Sequence, residues 1–174
     1  KEISPRIQYK KSKDVKSKAK EVLLKRKSLA PKEEVEPVEA VEPSVFCGDS
    51  LYESTTLEHD VTGCSTFGLK IREHDITLDC QGHSITGSST ATGKGIDVWK
   101  KSGVTIKNCQ VSNFKYGIKL TESDNDVVDL NTLENNAYGL SISTAYNNVI
   151  SSNTVRNSKE SGIFVSGSNN EFRG

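Results

Sequence analysis

Four segments of the chain, GIDVW at 95–99, GIKLT at 117–121, GLSIS at 139–143 and GIFVS at 162–166, open on glycines spaced 22, 22 and 23 residues apart. A fixed period is the strongest constraint a sequence can place on a fold, because each repeat must occupy the same environment as the next. Position +1 from each glycine is Ile96, Ile118, Leu140 and Ile163, and position +3 is Val98, Leu120, Ile142 and Val165. Aliphatics two residues apart share one face of a strand, so these two columns point inward. Further aliphatic columns lie at Ile106, Val128 and Ile150, and at Val111, Leu133 and Val155. A period of 22 leaves no room for the paired helices of the longer repeat families. It accommodates three short strands joined by polar turns, which is one coil of a parallel β-solenoid. The rhythm predicts four to five such coils.

Polar residues keep the same register. Asn113, Asn135 and Asn157 form one column, and Cys109, Asn131 and Asn153 form another. In a parallel stack, equivalent residues sit about 4.8 Å apart. Asn can then donate to and accept from the residues above and below, so both Asn columns are predicted to be hydrogen-bonded ladders. Asn also tolerates the left-handed backbone of tight turns. An irregular coil runs from Gly68 to Gly87, and Ser88–Lys94 reads as a loop inserted before Gly95.

The net charge of zero conceals three blocks. Residues 1–32 hold twelve Lys or Arg against three acids, residues 33–45 hold five Glu and no base, and residues 46–174 hold eleven bases and fifteen acids. Residues 1–45 therefore read as a charged leader with a Glu/Pro linker, largely disordered, with a possible helix over 14–29 carrying Val15, Ala19, Val22 and Leu23 on one face. Such a leader is a solvated spacer, or a basic segment for an anionic surface. Nothing in it specifies a nucleic-acid motif, and no apolar run reaches the ~18 residues of a membrane span. Residues 46–174 read as the solenoid, with an N-terminal cap near 46–67. The chain stops partway through a coil, so the expectation is that the solenoid continues past Gly174 in a longer polypeptide.

The phrases DITLDCQGHSITG and GVTIKNCQVSNFKYGIKL resemble the right-handed parallel β-helix repeat proteins, and among them the NosD-like carbohydrate-binding and sugar-hydrolase type. The resemblance covers roughly Cys47 to the end. It implies an all-β right-handed solenoid that is extracellular, cell-surface or periplasmic and often bound to polysaccharide or glycan. It does not imply catalysis, because enzymes, adhesins and inert stalks share this fold. An exported chain with four cysteines favours disulfides. Cys47 with Cys64 is the expected pair; Cys80 with Cys109 on neighbouring coils is a candidate pair, with two free thiols as small core residues the other reading.

The outward positions of the repeat strand carry the candidate chemistry. Position +2 is Asp97, Lys119, Ser141 and Phe164, and position +4 is Trp99, Thr121, Ser143 and Ser166. Trp99 and Asp97, with Lys119, Thr121 and Tyr116 in reach, form a candidate carbohydrate-binding patch. The bland readings are a surface ion pair between Asp97 and Lys119, and a Trp99 that covers the turn or packs under the 88–94 loop. Two carboxylates placed for glycosidic cleavage are not evident, so no catalytic residue is assigned. No cofactor is expected. A metal site is not expected either, since Met is absent and His59, His74 and His83 have no ligand spacing. The functional expectation is a non-catalytic module that binds glycan or serves as a rigid scaffold. The alternative is a fragment of a polysaccharide lyase, glycoside hydrolase or epimerase whose catalytic coils lie outside this chain.

Overall fold

The computed structural model describes residues 44–174, so the leader and its expected helix over 14–29 lie outside the described residues. The described chain is all β-structure wound as a parallel solenoid of three sheets. The first sheet comprises β1 (Asp49–Leu51), β4 (Phe67–Ile71), β7 (Lys94–Trp99), β10 (Tyr116–Thr121), β13 (Tyr138–Ser143) and β16 (Ser161–Ser166), stacked in that order. The second comprises β2 (Thr55–Thr56), β5 (Thr77–Asp79), β8 (Thr105–Lys107), β11 (Val127–Asp129), β14 (Val149–Ser151) and β17 (Glu171–Arg173). The third comprises β3 (Val61–Cys64), β6 (Ser84–Gly87), β9 (Gln110–Ser112), β12 (Thr132–Glu134) and β15 (Thr154–Arg156). Six strands stand in each of the first two sheets, against the four to five coils the rhythm predicts. The difference is the segment expected as a cap. Residues 49–64 supply the first strand of every sheet, and Gly48, whose N–H donates to the Gly68 carbonyl at 2.7 Å, holds the repeat-glycine position 20 residues before Gly68.

Register explains the repeat. Ile96 pairs with Ile118, Ile118 with Leu140, and Leu140 with Ile163, so each aliphatic column is a ladder through the core. Ile96, Val98, Ile118, Leu120, Leu140 and Ile142 have no exposed surface, and burial on this scale is the main stabilising term. The repeat glycines open the inward-facing side of the same strands. A Cβ on Gly117 would stand 2.6 Å from the Gly139 carbonyl oxygen and 2.8 Å from Asn136 Nδ2.

The turns divide the polar columns into two kinds. Asn113, Asn135 and Asn157 have φ of 61°, 56° and 54°, in the left-handed region. Their amide groups form no ladder with one another. The one side-chain bond of this column runs from Asn157 Nδ2 to Glu134 Oε1 at 3.2 Å. The repeat of these residues is a backbone requirement, because Asn enters the left-handed region at lower cost than most L-residues. A parallel column at Gln81, Asn108, Leu130 and Ser152 has the same conformation without the Asn preference.

True ladders run inside the turns. Asn131 donates from its backbone N–H and from Nδ2 to Asn153 Oδ1, at 2.9 and 3.0 Å, while its Nδ2 also reaches the Ile106 carbonyl at 3.0 Å. Cys109 N–H donates to Asn131 Oδ1 at 2.9 Å, so the Cys80–Cys109 disulfide continues the Asn131 column. A second ladder passes from Val104 through Asp126 and Asn148 to Asn170, each backbone N–H donating to the side-chain oxygen of the next coil at 2.7–3.0 Å. Asn136 makes the equivalent link to the Phe114 N–H at 3.0 Å and donates to the Val111 carbonyl at 2.9 Å. These bonds satisfy backbone groups that the turns would otherwise bury unpaired.

Asp126 is the exception in its column. Its position calls for an Asn, and it is 1% exposed. Ser123 Oγ lies in hydrogen-bond contact with Asp126 Oδ2 and 2.6 Å from the Lys101 carbonyl. A hydroxyl has one hydrogen for two acceptors, so the network closes when the Asp126 carboxyl is protonated and donates to Ser123. Burial pushes this carboxyl up to about 6, assisted by the charge of Asp124 and opposed by the bonds from Ser123 and Val104 and by His74.

Both disulfides are present. Cys47 and Cys64 have Cα atoms 5.3 Å apart, and Cys80 and Cys109 have theirs 4.8 Å apart, which is the spacing of adjacent coils. By loop-closure entropy the two crosslinks contribute about 3 and about 4 kcal/mol respectively.

Candidate functional site

The outward columns of the first sheet concentrate aromatic and cationic side chains. Along the column before each repeat glycine stand Phe67, Lys94, Tyr116 and Tyr138, paired in register from β4 to β13. The Tyr116 and Tyr138 rings stack at 5.1 Å with an interplanar angle of 18°. Lys94 Nζ lies 5.4 Å and Lys70 Nζ 5.6 Å from the Phe67 centroid. Lys119 Nζ lies 4.2 Å and Lys115 Nζ 5.6 Å from that of Tyr116. Each cation gains from the ring quadrupole.

Asp97 departs from its expected role. Alternation aims it outward, but it is 2% exposed, covered by the cations above it. Arg72 Nη2 holds Asp97 Oδ2 at 2.8 Å and Lys94 Nζ holds Oδ1 at 2.7 Å, while Arg72 Nη1 donates to the Asp97 carbonyl at 3.1 Å. The strand register sets Lys119 beside Asp97, yet the ion pairs go to Arg72 and Lys94, and Lys119 turns onto Tyr116. Both oxygens of Asp97 are therefore occupied, and its work is to fix two cations on the face. Desolvating a carboxylate is tolerable here because two partners share it.

Trp99 stands at the far end of β7 from the 88–93 turn and is 49% exposed, so it does not pack under that loop. Lys100 Nζ lies 5.0 Å from its centroid. Thr121, the next residue in the same column, is half-buried, and its hydroxyl oxygen is covered and has no hydrogen-bond partner. Thr121 does not offer that hydroxyl to the surface. Of the five candidate residues, the structure brings Tyr116 and Lys119 together, leaves Trp99 at the margin, and encloses Asp97 and the Thr121 hydroxyl.

Phe67, Lys70, Arg72, Lys94 and Tyr138 are the members that sequence reasoning missed. The signal was present in one place, the residue immediately before each repeat glycine. It reads Phe67, Lys94, Tyr116, Tyr138 and Ser161 once Gly68 is aligned with Gly95, and the same alignment puts Lys70 in the column of Asp97, whereas Arg72 has no such signal. The other two sheets lack this character. The third sheet has no aromatic in its strands, and Phe172, the one aromatic of the second, aligns with inward Ile150. Outward cations of these sheets meet carboxylates, Lys107 with Asp79 at 3.0 Å and Arg156 with Glu134 at 2.7 Å, while Asp129 accepts from Ser151 Oγ at 2.7 Å.

The histidines are engaged separately, His59 with the Val45 carbonyl, His74 with the Ser102 N–H and His83 with Asp60. Among the described residues no group of three or more His, Cys, Asp or Glu could hold a metal ion. Nor, among them, is any helix long and apolar enough to cross a membrane.

Residues 49–174 match the family model described as a right-handed beta helix region. No curated protein and no solved structure matches the chain.

Proposed function

The chain belongs to the right-handed β-helix family, and from that premise we propose that it is a secreted or cell-surface module whose first sheet binds a glycan chain without cleaving it. The observation that carries this reading is the stacked Tyr116–Tyr138 pair within a column of outward aromatics found on one sheet only. Ring edges and Tyr hydroxyls along such a row offer a sugar chain apolar contacts and hydrogen bonds, and the neighbouring cations add charged donors. A parallel solenoid repeats that combination once per coil, along a line that suits a linear polymer. Two disulfides, which form and persist in oxidising compartments, support the secreted or cell-surface setting. What supports binding over hydrolysis is the carboxylate content of this face. Glycosidic cleavage by the common route needs a general acid and a second carboxylate. The carboxylate on this face, Asp97, is committed to Arg72 and Lys94.

A glycan array probed with the full chain tests the reading, with Tyr116→Ala, Tyr138→Ala and Trp99→Ala alongside. Specific binding that falls at least tenfold in the two Tyr variants is the expected result. Failure of the folded wild-type chain to bind any glycan would overturn it in favour of a rigid scaffold.

A further inference from the structure

We infer that the glycan bound by the first sheet is a polyanion, a carboxylated or sulfated polysaccharide rather than a neutral one. This rests on the glycan-binding reading above and narrows it. The basis is a charge count on one face. Lys70, Lys94 and Lys119 stand on the outward surface of β4, β7 and β10, and Asp97 is the one carboxylate within these strands; of the residues that directly follow them, Arg72 reaches Asp97 and Glu122 is paired with Lys100 at 3.6 Å. Asp97 is enclosed by Arg72 and Lys94, so a ligand meets the cations and not the acid.

Lys70 and Lys119 have no carboxylate partner among the described residues, and each is held over an aromatic ring instead. They flank Asp97 in one column, two strands apart, which is about 10 Å along the stack. That is the geometry of a positive rail with a fixed spacing. A surface built only for structure would neutralise such a rail across the strands, as the second and third sheets do with Lys107–Asp79 and Arg156–Glu134. Lys70 and Lys119 lie on either side of Asp97, whose two oxygens are taken by Arg72 and Lys94, so neither charge is neutralised by it, and a regularly charged polymer of opposite sign supplies the missing partners on binding. Tyr116 stands in the neighbouring column with Lys119 Nζ 4.2 Å from its ring centroid, so aromatic and charged contacts lie side by side.

The experiment compares polymers with one backbone and different charge. The full chain is titrated with dextran, carboxymethyl-dextran and dextran sulfate, then repeated at rising NaCl. Three proteins are used: wild type, Lys70→Ala/Lys119→Ala, and Lys107→Ala/Arg156→Ala as a control that removes two cations from the other sheets. The expected result is binding to the charged polymers and not to dextran, weakened by salt. Lys70→Ala/Lys119→Ala should lose about tenfold in affinity, and the control should stay near wild type. Equal binding to all three polymers would overturn the polyanion inference and leave the glycan reading standing. So would binding of the charged polymers that ignores the Lys70→Ala/Lys119→Ala change, since that would place it on the basic leader. Failure to bind any of the three would also overturn the inference, while the array result decides the glycan reading independently. Phosphatidylserine vesicles and a single-stranded oligonucleotide complete the set. Binding to either with the same affinity and the same loss in Lys70→Ala/Lys119→Ala would show a face for polyanions in general and overturn the assignment to glycan.

Discussion

Asp126→Asn should make this protein more stable at neutral pH, and the gain should disappear in acid. The Asp126 carboxyl is pushed from 3.8 up to about 6, chiefly by burial. A raised carboxyl favours the folded state only while it is protonated. Its contribution is therefore complete below about pH 4, declines between pH 4 and pH 6, and is gone above. The difference of about two pKa units corresponds to about 3 kcal/mol, at 1.36 kcal/mol per unit. Asn at 126 keeps the oxygen that accepts from Val104 N–H and supplies an Nδ2 donor to Ser123 Oγ, which frees the Ser123 hydroxyl for the Lys101 carbonyl. It also continues the column of Asn148 and Asn170. The assay is urea unfolding of wild type and variant from pH 4 to pH 8 with the disulfides intact, followed by far-ultraviolet circular dichroism. The difference in unfolding free energy should rise by about 3 kcal/mol across pH 4 to 6 and then level off. A difference that is flat with pH, or a variant less stable than wild type at pH 7, would refute the protonated-carboxyl account of this turn.

The two kinds of Asn should respond differently to substitution. Asn148→Ala removes bonds to Asp126 N–H, the Ser123 carbonyl and Asn170 from a fully buried site, and should cost about 2–4 kcal/mol in a urea titration. Asn135→Gly, at an exposed left-handed position without a ladder bond, should change stability by less than about 0.5 kcal/mol. Gly117→Ala should destabilise far more than Gly162→Ala in a thermal melt, because its Cβ meets the Gly139 carbonyl at 2.6 Å while that of Gly162 meets only Val155 Cγ1 at 3.6 Å. Similar melting temperatures for the two Gly variants would show that the repeat glycine is not held by close packing.

Much of the architecture was legible because a solenoid makes each coil answer to the same constraint. The columns headed by Ile96, Ile106 and Val111 became the inner faces of three sheets, and Asn131 and Asn153 became a ladder. Asn113, Asn135 and Asn157 were as regular, yet their regularity reports a backbone angle and not a side-chain bond. Sequence periodicity identifies a shared environment without saying which property of the residue that environment selects. The ladder through Asp126, Asn148 and Asn170 was spaced by 22 as well, but one member is an acid and so it did not read as an Asn column.

By itself, then, the sequence determined the coil: its period and its inward aliphatics. Each of these is set by neighbours one period away and can be read from spacing. Only the tertiary structure decided how the outward side chains share their partners. Asp97 has Lys119 as its register neighbour, but Arg72 and Lys94 reach both of its oxygens and enclose it, which leaves Lys119 to Tyr116. Long flexible side chains choose among several partners within reach, and that choice depends on geometry across three coils rather than on alternation along one strand.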